Sequence, residues 1–304
     1  MASPVYVSLT DRLFDVPGQW ALWRCYACQS LWLNPRPVPA ELPRLYARYP
    51  THTIPSDNAG PVPLHRRLRT WLTPLGTLLL PWIRRERLDF QYRFLRGVRA
   101  GTILDVGCGN GAWLASMAKL GWRCVGIEPD PQAAAVASAS GFDVYLETLE
   151  STDLGSAAFD AITLCHVIEH LPDPGSALRR CYALLRPGGR LVVITPSVAS
   201  LGHLLFGHAW RGLEPPRHFV LFHPRALASI VSSAGFTDLC LRTSARSSIS
   251  WFQASNAIQA MNGQRCFSPF AAKLASRLFC ALEHVANAAS GSVGEEIALI
   301  ATRA

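Results

Sequence analysis

The chain has 304 residues, 49% of them apolar and 16% charged, which excludes a disordered or low-complexity protein and suits one large domain with an appendage. Its net charge of +8 is local: residues 61–100 hold nine arginines against Glu86 and Asp89, a segment charge of +7. Leucines separate those arginines, and phosphate binding has no use for them, so nucleic acid is not an expected partner.

The amino terminus lacks the basic start and continuous apolar run of a secretory signal and carries Asp11 and Asp15 early, so a cytoplasmic location is expected. Nine cysteines scattered from Cys25 to Cys280 read as reduced thiols. Residues 1–60 form an appendage around WRCYACQSLWLNPRP. Cys25 and Cys28 have zinc-knuckle spacing, yet residues 1–24 contain neither Cys nor His, His52 arrives alone, and structural zinc wants four ligands. A metal-free, degenerate knuckle held by Trp20, Trp23 and Trp32, a flap near the substrate entrance, is the expectation.

Residues 61–100 read as helical pieces broken at Pro74, Gly76 and Pro81. Within them, RTWLTPLGTLLLPWIRR has an apolar centre, a tryptophan near each end and arginines outside. It falls short of the ~20 apolar residues that span a bilayer. Either a lid over the substrate cleft or a peripheral contact with a membrane interface suits it.

From Gly101 the pattern becomes regular. TILDVG, CVGIEP, FDVYLE, FDAITLCHV and RLVVITPS alternate with helix-period segments, including one from about Pro174 to Leu185. PRALASIVSSAGF and TDLCLRTSA add a helix and a strand, and EEIALIAT closes the sheet after a helical insertion at about 246–292. The alternation predicts an α/β fold over residues 101–304, a doubly wound, mostly parallel sheet with helical cap insertions and its strand-end loops along one edge. Inside the insertion, Leu274, Leu278 and Leu282 share one stripe and Lys273 and Arg277 another, an amphipathic helix expected to turn its leucines to the core.

DVGCGNGAW sets Gly107, Gly109 and Gly111 directly after the first of these strands, where bare backbone lets a ligand approach. The pattern alone is ambiguous, because Gly107, Gly109 and Ala112 also satisfy a dinucleotide fingerprint. Glu128, ending the next strand, suits the ribose of either cofactor class.

Four segments taken together, ILDVGCGNGAWL, VGIEPD, FDAITLCHVIEHLPDP and YALLRPGGRLVVITPS, resemble the class I S-adenosylmethionine-dependent methyltransferases, closest to the ubiquinone-type O-methyltransferase branch. The resemblance implies that Asp105, Gly107, Cys108, Gly109 and Gly111 hold the methionine end of S-adenosylmethionine, Glu128 with Pro129 its ribose, and Thr148 and Leu149 its adenine; the plainer reading of His166 is that it packs over the cofactor. A carboxylate beside the loop suits an ammonium and a sulfonium and repels a pyrophosphate.

Methyl transfer from a sulfonium needs in-line positioning, and a base where the acceptor must lose a proton. The spacing of His166, Glu169 and His170 puts all three on one side of a turn facing the cofactor edge, with His170 or His166 able to take a proton. The ubiquinone-type resemblance implies a divalent metal held here by two acidic residues and a histidine. His166 stands at the first acidic position, so no metal is expected. A second candidate base is His218, in a Pro216-Arg217-His218 element that by the same resemblance lines the acceptor pocket beside Trp210.

The reading is O-methylation of a small or lipid-linked metabolite. The alternatives are a nicotinamide-dependent oxidoreductase, or a non-catalytic cofactor-binding protein docking to a membrane or partner.

Overall fold

A computed structural model describes residues 1–38, 41–46 and 81–304 of the chain. The breaks expected at Pro74 and Gly76, His52 and most of the tryptophan-flanked stretch lie outside the described residues. Pro81 begins a helix, α2 (Pro81–Gln91), following the short α1 (Leu42–Tyr46).

Seven strands form the main sheet: β4 (Thr102–Val106), β5 (Arg123–Ile127), β6 (Asp143–Tyr145), β7 (Phe159–Cys165), β8 (Leu185–Pro196), β10 (Phe236–Ser244) and β11 (Glu296–Arg303). Their order is β10-β11-β8-β7-β4-β5-β6. Pairing is parallel from β8 through β6, and β11 runs antiparallel to both β8 and β10. The last strand therefore inserts within the sheet instead of closing its edge. It can do so because its apolar run, Ile297 to Ala301, is buried on both faces. The chain leaves β4 towards β5 on one side and places β7 on the other, so a crevice opens at the carboxyl end of β4.

Local chemistry sets the helices that frame this crevice. Helix α3 (Ala112–Ala118) follows the glycine loop, while α4 (Pro131–Ala139) and α5 (Pro174–Leu184) each begin with Pro behind an aspartate cap. Asp130 accepts from the N–H groups of Gln132 and Ala133, and Asp173 from that of Ser176. Helices α6 (Leu201–Phe206), α7 (Pro224–Ser233), α8 (Ser248–Met261) and α9 (Pro269–Ser290) follow before the last strand. The last two fill the expected insertion.

The amino-terminal region is more integrated than an appendage. Strands β1 (Ala2–Leu9), β2 (Trp20–Cys25) and β3 (Leu31–Asn34) make a second sheet whose fourth strand, β9 (Val220–Leu221), belongs to the core. Leu22, Leu31 and Leu33 share one buried cluster with Phe206, Trp210, Phe219 and Phe252. Asp11 accepts both ends of the Arg217 guanidinium at 2.7 and 2.8 Å, and both residues are buried. The knuckle keeps its turn, with the Cys28 and Ala27 N–H groups and the Cys28 thiol lowering the Cys25 thiol's pKa. Among the described residues no third ligand joins the two cysteines.

Helix α9 reverses the expected burial. Leu274, Leu278 and Leu282 face solvent, while Ala272, Ser276, Glu283 and His284 face the protein. The inward polar groups have partners that an apolar stripe could not serve: Ser248 donates to Glu283, and His284 pairs with Glu86 at 3.4 Å.

Candidate functional site

The glycine loop joins β4 to α3, and its three glycines take positive φ values of 69°, 56° and 77°. Their reasons differ. A Cβ on Gly107 would strike Val167 and one on Gly111 would press on Ala137, whereas one on Gly109 would meet open space. Gly109 is thus where a ligand can approach the backbone.

The loop's N–H groups are already engaged. Those of Gly107 and Cys108 donate to the Ile127 carbonyl at 2.8 and 3.1 Å, that of Gly109 to Glu128 Oε2 at 2.8 Å, and that of Gly111 to the Cys108 carbonyl at 3.2 Å. The Cys108 side chain is buried against Gly126, and burial raises its thiol pKa, so only its backbone lines the loop. Glu128, also buried, accepts from the Asp130 N–H as well and so braces the loop against the end of β5. Of the remaining expected contacts, Pro129 and Thr148 are exposed at the rim, while Leu149 is buried in the main core.

Asp105 does not stand alone beside the bend. It is fully buried, and its Oδ1 accepts from Thr163 at 2.7 Å and from the Arg93 guanidinium. Arg93 also donates to Thr163 at 2.8 Å and stacks 3.7 Å over the Trp113 ring. Burial raises the Asp105 pKa and the Arg93 charge opposes the rise; Oδ2 has no hydrogen-bond partner. Sequence reasoning missed Arg93, because within a run of solvated arginines nothing marks the one that turns inward.

The turn after β7 brings His166, Glu169 and His170 together, in different roles from those expected. His166, at φ 55°, lies 3.3 Å from Glu169 through Nδ1 and 2.8 Å from Glu296 through Nε2. Burial disfavours its charged form, but the two carboxylates outweigh burial and hold its pKa well above 6.5. His166 is thus clasped between two carboxylates that favour its charged form. Glu169 is buried and accepts from Thr195 at 2.8 Å; despite burial, His166 and the nearby histidines take its pKa to about 2. Glu296 also accepts from Arg246 and Ser247.

His170, half-buried, sets Nδ1 3.0 Å from the Arg217 carbonyl and 3.1 Å from the Tyr46 hydroxyl. A carbonyl can only accept, so Nδ1 carries the proton and Nε2 the lone pair. His218, the alternative base, is no surface residue. It is 4% exposed, donates from Nδ1 to the Gly212 carbonyl at 2.8 Å, and stacks edge-on against His170 at 4.7 Å. Burial takes its pKa to about 4, so it is neutral. Trp210, expected as a pocket wall, is buried and donates to Glu295 at 2.9 Å.

The donor set implied by the ubiquinone-type resemblance does not fit a metal here. His166 occupies an acidic position with a positive charge, and that charge already balances Glu169. Glu169, His170 and His218 do bring one ligand atom each within 4.8 Å of one another.

Comparison with known proteins gives the family. Two curated relatives are named ubiquinone biosynthesis O-methyltransferase. The one from Alkalilimnicola ehrlichii is 35% identical over 116 residues, 36% of this chain and 47% of the relative. The one from Methylocella silvestris is 35% identical over 156 residues, 47% of this chain and 59% of the relative. The chain thus spans about half the length of the curated relatives it matches. Among solved structures, the [4+2]-cyclase SpnF superposes with a TM-score of 0.51 at 20% identity, covering 71% of this chain and 80% of that one. Its name shows that the fold alone does not fix the reaction. The family described as "Methyltransferase domain" matches residues 66–241, more than half of the sequence, and the chain belongs to that family, among the class I S-adenosylmethionine-dependent methyltransferases near the ubiquinone O-methyltransferase branch.

Proposed function

We propose that the protein transfers a methyl group from S-adenosylmethionine to a hydroxyl of a small or lipid-linked metabolite. One observation carries the choice of cofactor: the N–H groups of Gly107, Cys108, Gly109 and Gly111 are spent inside the protein. A pyrophosphate needs such donors, whereas a phosphate-free nucleoside does not. Bare negative charge at Asp105 does not make the choice, since Arg93 balances that charge.

The residues present fit the cofactor. Gly109 leaves open space above the loop, and Arg93 beside Asp105 offers one charge of each sign, matching the carboxylate and ammonium of an amino acid. Oδ2 of Asp105 keeps an acceptor to spare, and the guanidinium has donors beyond those serving Asp105 and Thr163. Glu128 has lone pairs for the ribose hydroxyls. When bound, S-adenosylmethionine supplies an electrophilic methyl on a good leaving group.

The chain's own task is then to position the acceptor and remove its proton. His170 serves as the base: its Nδ1 is anchored, its Nε2 carries the lone pair, and Glu169 stabilises the imidazolium formed. His218 keeps the site shaped as a neutral, packed neighbour. The basic, tryptophan-flanked stretch of residues 69–85 supports peripheral contact with a membrane surface, in keeping with a lipid-linked acceptor; among the described residues no helix is long and apolar enough to cross one.

Calorimetry with S-adenosylhomocysteine and NADH tests the cofactor, with heat expected only for the first. Heat for NADH alone would overturn the proposal. Methyl-radiolabel incorporation into extract fractions would then identify the acceptor.

A further inference from the structure

Helix α9 carries an unusual distribution of side chains. Phe270, Leu274, Leu278, Leu282 and Val285 lie on one face, each 57–83% exposed, and the preceding loop adds Phe267. Residues 270 to 285 span about 22 Å at 1.5 Å per residue, so the stripe is continuous over four turns. Scattered apolar residues are common on surfaces, but a contiguous stripe of this length marks an interaction site. The buried face holds Ser276, Glu283 and His284, each fixed by a partner from another element, so the helix cannot turn its leucines inward without breaking those pairs.

Charge identifies the occupant. The exposed charged residues of α9 are Lys273 and Arg277, one turn apart along the edge of the stripe; its only acidic residue, Glu283, is buried. Two copies packed through this face would bring like charges together with no acidic residue of the helix to answer them. An anionic lipid surface accepts both features: acyl chains take the leucines and headgroups take the cations.

We propose that α9 is a peripheral membrane-docking helix, which seats its apolar face in the interfacial zone of an anionic bilayer. It extends the peripheral contact proposed above, to a surface outside residues 66–241, and does not depend on methyl transfer.

The test is co-sedimentation of the full chain with phosphatidylcholine vesicles, with and without phosphatidylglycerol, comparing wild type with L274Q/L278Q/L282Q and with K273E/R277E. All five positions are exposed, so a thermal melt should be unchanged. Wild type should bind the anionic vesicles, the glutamine variant at least tenfold less, and the charge-reversed variant should lose the preference for anionic lipid. Unchanged binding by the glutamine variant would place the contact elsewhere and overturn the assignment, as would absence of binding by wild type. A wild-type dimer in sedimentation velocity that the glutamine variant abolishes would give the face to self-association instead. S-adenosylhomocysteine calorimetry on the same preparations keeps failure of the functional reading separate: lost cofactor binding would sink that reading and leave the vesicle result standing.

Discussion

Arg93 and Asp105 form an ion pair beneath the glycine loop, its carboxylate fully buried and its guanidinium 11% exposed, joining the chain that follows α2 to the first strand of the sheet. Breaking a pair of this kind from one side leaves an uncompensated charge, which costs about 3–5 kcal/mol. R93M should lower the melting temperature sharply and weaken S-adenosylhomocysteine binding at least tenfold. R93M/D105N removes the stranded charge, so it should regain much of the stability and none of the affinity. Calorimetry and melting curves on both variants check this, and recovery of affinity by the double variant would contradict the role given to the pair.

Base catalysis by His170 predicts that H170A loses about 10² to 10⁴ in kcat, with S-adenosylhomocysteine affinity within a few-fold of wild type. Once an acceptor is identified, steady-state rates over a pH series supply the measurement. Full turnover by H170A would end the assignment.

Two histidines set opposite limbs of the stability profile. His218 has a folded pKa of about 4 against 6.5 unfolded, so its contribution is present above pH 6.5 and disappears as pH falls towards 4, on the order of 3 kcal/mol in all. His166 has a raised folded pKa; its contribution is complete below 6.5 and disappears as pH rises through that higher value. H166Q should therefore flatten the alkaline limb of the melting-temperature profile while leaving the contribution of His218 on the acid side in place.

Glu283 is buried with its pKa raised to about 9, by burial first and by Glu295 and other carboxylates next. Its folded state is protonated while the unfolded chain ionises above about 4.5, so stability falls as pH rises between those values. E283Q should raise stability at pH 8 by on the order of 5 kcal/mol and change little near pH 4. Denaturant midpoints at the two pH values decide the matter, and an equal effect at both would remove the titration argument.

Asp11 and Arg217 tie the amino-terminal sheet to the loop that anchors His170, because the Arg217 carbonyl accepts from His170. Arg217 also pairs with Glu214 at 3.0 Å and keeps that partner in D11A, so D11A should cost about 1–3 kcal/mol and should also lower kcat at temperatures where the protein stays folded. A stability loss with kcat intact would show that the tie is structural only.

The sequence by itself determined the αβ alternation, the order of the motifs, the glycine loop and the turn bearing His166, Glu169 and His170. These are local: a strand ends, glycines permit positive φ, and proline behind aspartate starts a helix, all within a few residues. What the tertiary structure decided are the partners that arrive from far along the chain. Glu296 meets His166 across 130 residues and makes it a cation, Asp11 reaches Arg217 across 206, and Arg93 neutralises Asp105. The same holds for α9, whose periodicity marked an amphipathic helix but not which face goes inward. Glu86 and Ser248 fixed that by pairing with His284 and Glu283. Burial of a charge or a leucine is settled by what packs against it, and spacing along the chain carries no record of those distant contacts.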